Sequence, residues 1–128
     1  MIEKLGILDI GVVSSELNSY STLERTISDV QLADELGFSR YWLGEHNEYP
    51  FAWRNPDILI GILASITEKI RIGSAGVLLP LHPVLRVAEN YRLLASLFPN
   101  RIDLGIASGT TAPEMILELL HEEDYSII

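Results

Sequence analysis

Glu45 and His46 close a short apolar run, Arg40 to His46 (RYWLGEH). A His beside a carboxylate can take up, release or donate a proton near neutral pH. The plainer alternative is a His satisfied by a neighbouring backbone carbonyl, and residue type alone favours it. Two other stretches carry residues of useful size. Ser74, Ala75 and Gly76, with Gly73 before them, are small enough for a flat ring to lie against the backbone. Room for bulky neighbours in a packed core explains them as well. Ser108-Gly109-Thr110-Thr111 precede Pro113, and small hydroxyl residues ahead of a helix can offer backbone N–H groups to a phosphate. A cap by Thr110 or Thr111 is the commoner use of such residues.

Several chemistries are excluded. The chain has no cysteine, so disulfides, thiolate ligands and a Cys nucleophile are out. His46, His82 and His121 are far apart in sequence and lack the spacing of a metal site. No Gly-x-Gly-x-x-Gly fingerprint, Walker loop or nucleophile elbow occurs. The formal net charge of −9 comes without a basic stripe, which argues against a nucleic-acid partner. The apolar stretches are too short to span a bilayer, and the first residues lack a signal-peptide pattern. A cytoplasmic location is the expectation.

The 128 residues suffice for one domain, 1–128, with 48% hydrophobic and 21% charged residues. Leu5 to Gly11 (LGILDIG), Arg40 to His46, Arg71 to Leu79 (RIGSAGVLL) and Arg101 to Ala107 (RIDLGIA) read as four buried strands. Helical spacing follows each. Ser21 and Glu24 have capping-box spacing for the first helix, which Gly37 stops. Asn55-Pro56 opens a second helix running to about Thr67, apolar around nearly its whole circumference and therefore expected to be buried on more than one side. His82-Pro83 opens a third helix to about Leu97, and Pro113 a fourth, ending near His121. Short strands alternating with helices predict a parallel sheet with helical crossovers. Periodicity leaves two architectures open, a doubly wound sheet and half of a barrel.

In either one the active site lies at the carboxyl ends of the strands. Asp9, Glu45, His46, Ser74 and Ser108 fall there and are the candidates. Arg40, Arg71 and Arg101 precede strands and fall at the opposite end. Their expected work is structural, capping strands or pairing with helix carboxylates.

Four segments, taken in order, resemble the luciferase-like, flavin-dependent monooxygenase family. They are LGILDIG, DELGFSRYWLGEHN (34–47), ITEKIRIGSAGVLLPLHPVLRVAEN (66–90) and LFPNRIDLGIASG (97–109). The resemblance covers most of residues 5–109. It implies a (β/α)8 TIM barrel using reduced FMN or, in some relatives, F420, and acting on a small-molecule substrate, with O2 in the oxygenating members. His46 matches the family's active-site His. Ala75 and Gly76 match a third-strand bulge beside the flavin ring, often with a non-proline cis peptide. Many relatives hold the flavin phosphate with an Arg after strand four, where this chain has Ser108; Arg54, in the loop after strand two, could supply the missing cation.

The family barrel has eight units and this sequence four. The expectation is therefore the amino-terminal half of a TIM barrel, completed by a complementary half-barrel chain or a second copy. Helices 55–67 and 83–97 would form an oligomer interface, as in many relatives. The alternative is a non-catalytic or degenerate half barrel that stabilises a complementary chain. The last helix carries Glu114, Glu118 and Glu122, a solvated acidic face or one suited to a basic partner.

Overall fold

A computed structural model of the chain describes residues 4–46 and 50–109. The expected fourth helix, with His121, Glu114, Glu118 and Glu122, lies outside the described residues, as do Thr110 and Thr111. Four strands and three α-helices alternate: β1 (Gly6–Asp9), α1 (Ser19–Glu35), β2 (Arg40–Leu43), α2 (Asp57–Ser65), β3 (Arg71–Leu78), α3 (Val84–Leu97) and β4 (Ile102–Ala107). A 3-10 turn, Leu79–Leu81, joins β3 to α3.

The sheet is parallel throughout, in the order β1-β2-β3-β4. This order is not that of a doubly wound sheet. A doubly wound sheet reverses direction at a switch point and carries helices on both faces. Here each strand adds beside the last, and one face of the sheet takes all three helices. Ile7, Tyr41, Ile72 and Ile102 stand in register across the strands. They pack with Val30 and Ala33 of α1, Ile60 and Leu63 of α2, and Val87, Tyr91 and Leu94 of α3. Alternation sends Leu8, Trp42, Gly73 and Asp103 to the other face, where Leu8 is 62% exposed. Among the described residues β1 and β4 are each paired on one side only.

The local signals shift in detail. Asn18, not Ser21, caps α1: its Oδ1 accepts the Ser21 N–H at 2.9 Å. Ser21 thus sits three residues inside the cap. Gly37 does end the helix, with φ of 81°. Helix α2 is buried through Leu59, Ile60, Leu63 and Ala64, whereas Ile58, Ile62 and Ile66 are exposed. The expectation of burial on more than one side is therefore not met within this chain.

The three arginines before strands are structural, with partners other than helix carboxylates. Arg40 and Arg71 both grip Asp103 of β4, Arg40 through Nε at 3.0 Å. The guanidinium of Arg101 donates to the carbonyls of Thr67, Glu68 and Ile70, where α2 ends. Asp34 meets the same turn from the other side, accepting the backbone N–H groups of Glu68, Lys69 and Ile70.

Candidate active site

The carboxyl end of the sheet is built by a bulge and a short ribbon. Ser74 pairs with Leu104 and Val77 with Ile106. Two residues of β3, Ala75 and Gly76, thus stand against one of β4, Gly105, which is a β-bulge. The Ala75–Gly76 peptide is cis. Glycine is required on both sides of it. A Cβ on Gly105 would run into the Ser74 carbonyl oxygen, and one on Gly73 into that of Asp103. Ala75 is exposed, so the bulge presents a methyl group and bare backbone.

The ribbon forms where the loop after β1 meets the loop after β2. Val12 bridges Phe51 in antiparallel fashion. The Val13 N–H donates to the Pro50 carbonyl at 2.8 Å, and that of Ala52 to Gly11 at 2.8 Å. Gly11 has φ of 66°, and a side chain there would collide with the Trp53 ring. The Trp53 indole donates to the Gly44 carbonyl at 2.9 Å. These contacts place Phe51 beside His46, with ring centroids 4.8 Å apart and planes tilted by 31°. His46 is half-buried.

Of the five candidates on this end, the structure separates three from the open face. Asp9 turns toward α1 and accepts from the Gly11 N–H, the Thr26 hydroxyl and the Tyr41 hydroxyl, each at 2.8 Å. Burial, with the Asp9 carboxylate beside it, pushes the Tyr41 hydroxyl well above the usual phenol range. Ser74 is fully buried on the helix face, its Oγ donating to the Gly105 carbonyl at 3.0 Å. Glu45 is buried as well; its carboxylate accepts the Leu78 N–H at 2.7 Å and pairs with His82 Nε2. Residue type and position pointed to these three, but alternation and the strand end turn them inward.

Ser108 is exposed beside Leu79, Pro80, Val84, Ile106 and Ala107, which line a cleft of about 530 Å3 with it. Among the described residues no cation borders this cleft. Arg54 is exposed in the loop before α2 and makes no hydrogen bond or ion pair among the described residues. Sequence reasoning missed His82, whose partner Glu45 is 37 positions away. It also missed Asp57 of α2, which accepts from Asn90 of α3 at 2.9 Å. Separations of that size leave no local signal. No cluster of three potential metal ligands occurs among the described residues, and no helix there is long and apolar enough to cross a membrane.

Comparisons with known proteins agree with this geometry. The family model for luciferase-like monooxygenases matches residues 3–125. An N-acetyl-S-alkylcysteine monooxygenase of Bacillus subtilis is 36% identical over 121 residues, 94% of this chain and 36% of its own length. A luciferase-like monooxygenase of Escherichia coli is 37% identical over 101 residues, 78% of this chain and 30% of its own. The crystal structure of apo-MsnO8 superposes with a TM-score of 0.88 at 40% identity, covering 96% of this chain and 37% of that one. The FMN complex of the oxygenating constituent of 3,6-diketocamphane monooxygenase from Pseudomonas putida has a TM-score of 0.78 at 23% identity, over 86% of this chain and 31% of that one, a likeness of fold. The chain spans about a third of the length of the curated relatives it matches.

Proposed function

Since the chain belongs to the luciferase-like monooxygenase family, we propose that it is the amino-terminal half of a (β/α)8 barrel that oxidises a small organic substrate with reduced flavin and O2. The observation that carries this reading is the bulge: Ala75 and Gly76 offer a side-chain-poor surface at the carboxyl end of the sheet, framed by Gly73 and Gly105. A flat ring system fits such a surface, because nothing larger than the Ala75 methyl group holds it away from the backbone. The relative from Pseudomonas putida carries FMN, and a more distant fold neighbour uses coenzyme F420. FMN is the first choice and F420 the second.

Bound reduced flavin would supply the electrons that activate O2. The chain's own residues supply position and protons. Ala75 and Gly76 support the ring, and Gly73 and Gly105 keep that face clear. His46, steadied by Phe51, offers a ring nitrogen as hydrogen-bond donor or proton acceptor toward the reacting end. Arg54 is the cation assigned to the phosphate, and the Ser108 hydroxyl a weaker second contact.

The rest of the barrel comes from four further β/α units, on another chain, a second copy or a longer protein. The exposed Leu8 and the one-sided pairing of β1 and β4 support this, since open parallel edges invite a partner strand. Ile58 and Ile62 of α2, with Ile66 at its C-terminal cap, repeat every four residues, and Leu93 and Leu97 do so on α3. These exposed rows are the oligomer surface in this reading. A second reading, a partner subunit without flavin, draws on the apolar surroundings of Ser108.

Titration of the assembled protein with FMN, followed by quenching of flavin fluorescence, tests the reading. Saturable binding that weakens at least about tenfold in Ala75→Leu, with folding intact, is expected. Saturation with F420 alone would change the cofactor. An assembled protein that binds neither moves the assignment to the partner role.

A further inference from the structure

Glu45 and His46 are adjacent in sequence yet do different work. The Glu45 side chain is 1% exposed. It accepts the N–H of Leu78, the last residue of β3, at 2.7 Å, and it pairs with Nε2 of His82, just before α3. One carboxylate therefore joins three segments: the end of β2, the end of β3 two residues past the bulge, and the entry to α3. The two segments offered above as the site, His46 and Ala75–Gly76, lie immediately beside two of these anchors. A buried carboxylate is costly unless its oxygens are satisfied, and here each oxygen has one partner. Those partners come from backbone and side chain on neighbouring segments, so the carboxylate is satisfied only at one spacing of the strand ends.

We propose that Glu45, held by His82, is a positioning residue that sets the distance between His46 and the Ala75–Gly76 bulge. Glu45 faces inward and touches no reacting atom. Its effect on chemistry passes through the backbone on either side of it. A carboxylate can only accept, so its pairing with Nε2 requires the His82 hydrogen on that nitrogen and leaves Nδ1 for other partners. His82 thereby ties the start of α3 to the same point.

The inference rests on the site proposed above, but its test needs no flavin, so the two fail separately. The experiment is amide and imidazole NMR with hydrogen exchange on the complete chain. Four proteins are compared: wild type, Glu45→Gln, His82→Gln and Val30→Ala. Val30 is a core residue of α1, and its truncation controls for lost stability alone. The Leu78 amide should exchange at least about tenfold faster in Glu45→Gln, because a bond to a charged acceptor is replaced by one to a neutral amide. The His46 ring signals and the Gly76 amide should shift together in Glu45→Gln and in His82→Gln, and stay in place in Val30→Ala. Unmoved His46 and Gly76 signals in both site variants would overturn the proposal. Equal movement in Val30→Ala would also overturn it, since the pair would then be ordinary packing.

Discussion

The Asp34 carboxylate, in the last turn of α1, accepts the backbone N–H of Ile70 at 2.7 Å, on the residue that leads into β3. It also takes the N–H groups of Glu68 and Lys69. Three consecutive donors on one acidic side chain form a nest that fixes the turn between α2 and β3. Arg101 secures the carbonyls of the same turn. Together they set where β3, and with it the bulge, begins.

This nest gives a pH dependence. Burial raises the Asp34 pKa, but the N–H groups of Glu68, Ile70 and Lys69, with the Arg101 charge, outweigh it and hold the carboxyl below its usual range. A depressed folded-state pKa adds stability that is fully present above the unfolded value, about 3.9, and lost as pH falls through the folded one. Asp34→Ala should therefore cost about 1–2 kcal/mol at pH 7, after discounting for its partial exposure, and much less near pH 2. Urea melts at the two pH values check this. An equal loss at both would contradict it.

Asp103 makes a second acid-sensitive point. The Arg71 guanidinium bonded to it, aided by Arg40, holds its carboxyl below the usual range against the effect of burial. The sign is the same as for Asp34, and the stability it adds fades as pH drops below about 4. Asp103→Ala leaves two arginines facing each other across β2 and β3. A loss of about 2–3 kcal/mol is expected, partly recovered in Asp103→Ala/Arg40→Met. Denaturation of the single and double variants measures the recovery, and none at all would mean that Arg40 and Arg71 do not repel.

Gly105→Ala tests the close approach behind the bulge. Its added methyl group would meet the Ser74 carbonyl, a backbone atom that cannot swing away. A loss of about 2–3 kcal/mol is expected, with cofactor binding weakened beyond what the lost stability accounts for. Gly37→Ala is the contrast. It has open space around it and pays only for its positive φ, so it should leave binding unchanged.

The exposed rows on α2 and α3 predict an assembly defect. Ile58, 82% exposed, touches little of its own chain. Ile58→Asp should leave unfolding within about 0.5 kcal/mol of wild type and lower the native mass. Light scattering reads the mass. An unchanged mass would remove α2 from the interface.

Much of the fold was legible because strands of this kind are short apolar runs between turn residues. Gly6–Asp9, Arg40–Leu43, Arg71–Leu78 and Ile102–Ala107 each lie within the span their sequence suggested. The parallel arrangement follows from helices between them. The order β1-β2-β3-β4 was not legible, since strand neighbours are chosen by packing that no local pattern records. The cap of α1 was misplaced because Asn18 and Ser21 both have capping side chains three residues apart.

At the site, the bulge at Ala75–Gly76 was legible through the resemblance of whole segments. The direction of Glu45 was not. Strand alternation stops at Leu43, and what turns the carboxylate inward is His82 and the Leu78 N–H, both more than thirty residues away. Asp9 and Ser74 lie within strands, where alternation sets the face each takes, but their partners on α1, β2 and β4 left no local signal.

The most direct test of the account is the native mass of the protein from its own source, measured together with its visible absorbance. An assembly that includes four further β/α units and is yellow from bound flavin is expected. A colourless monomer of 14.3 kDa would contradict it.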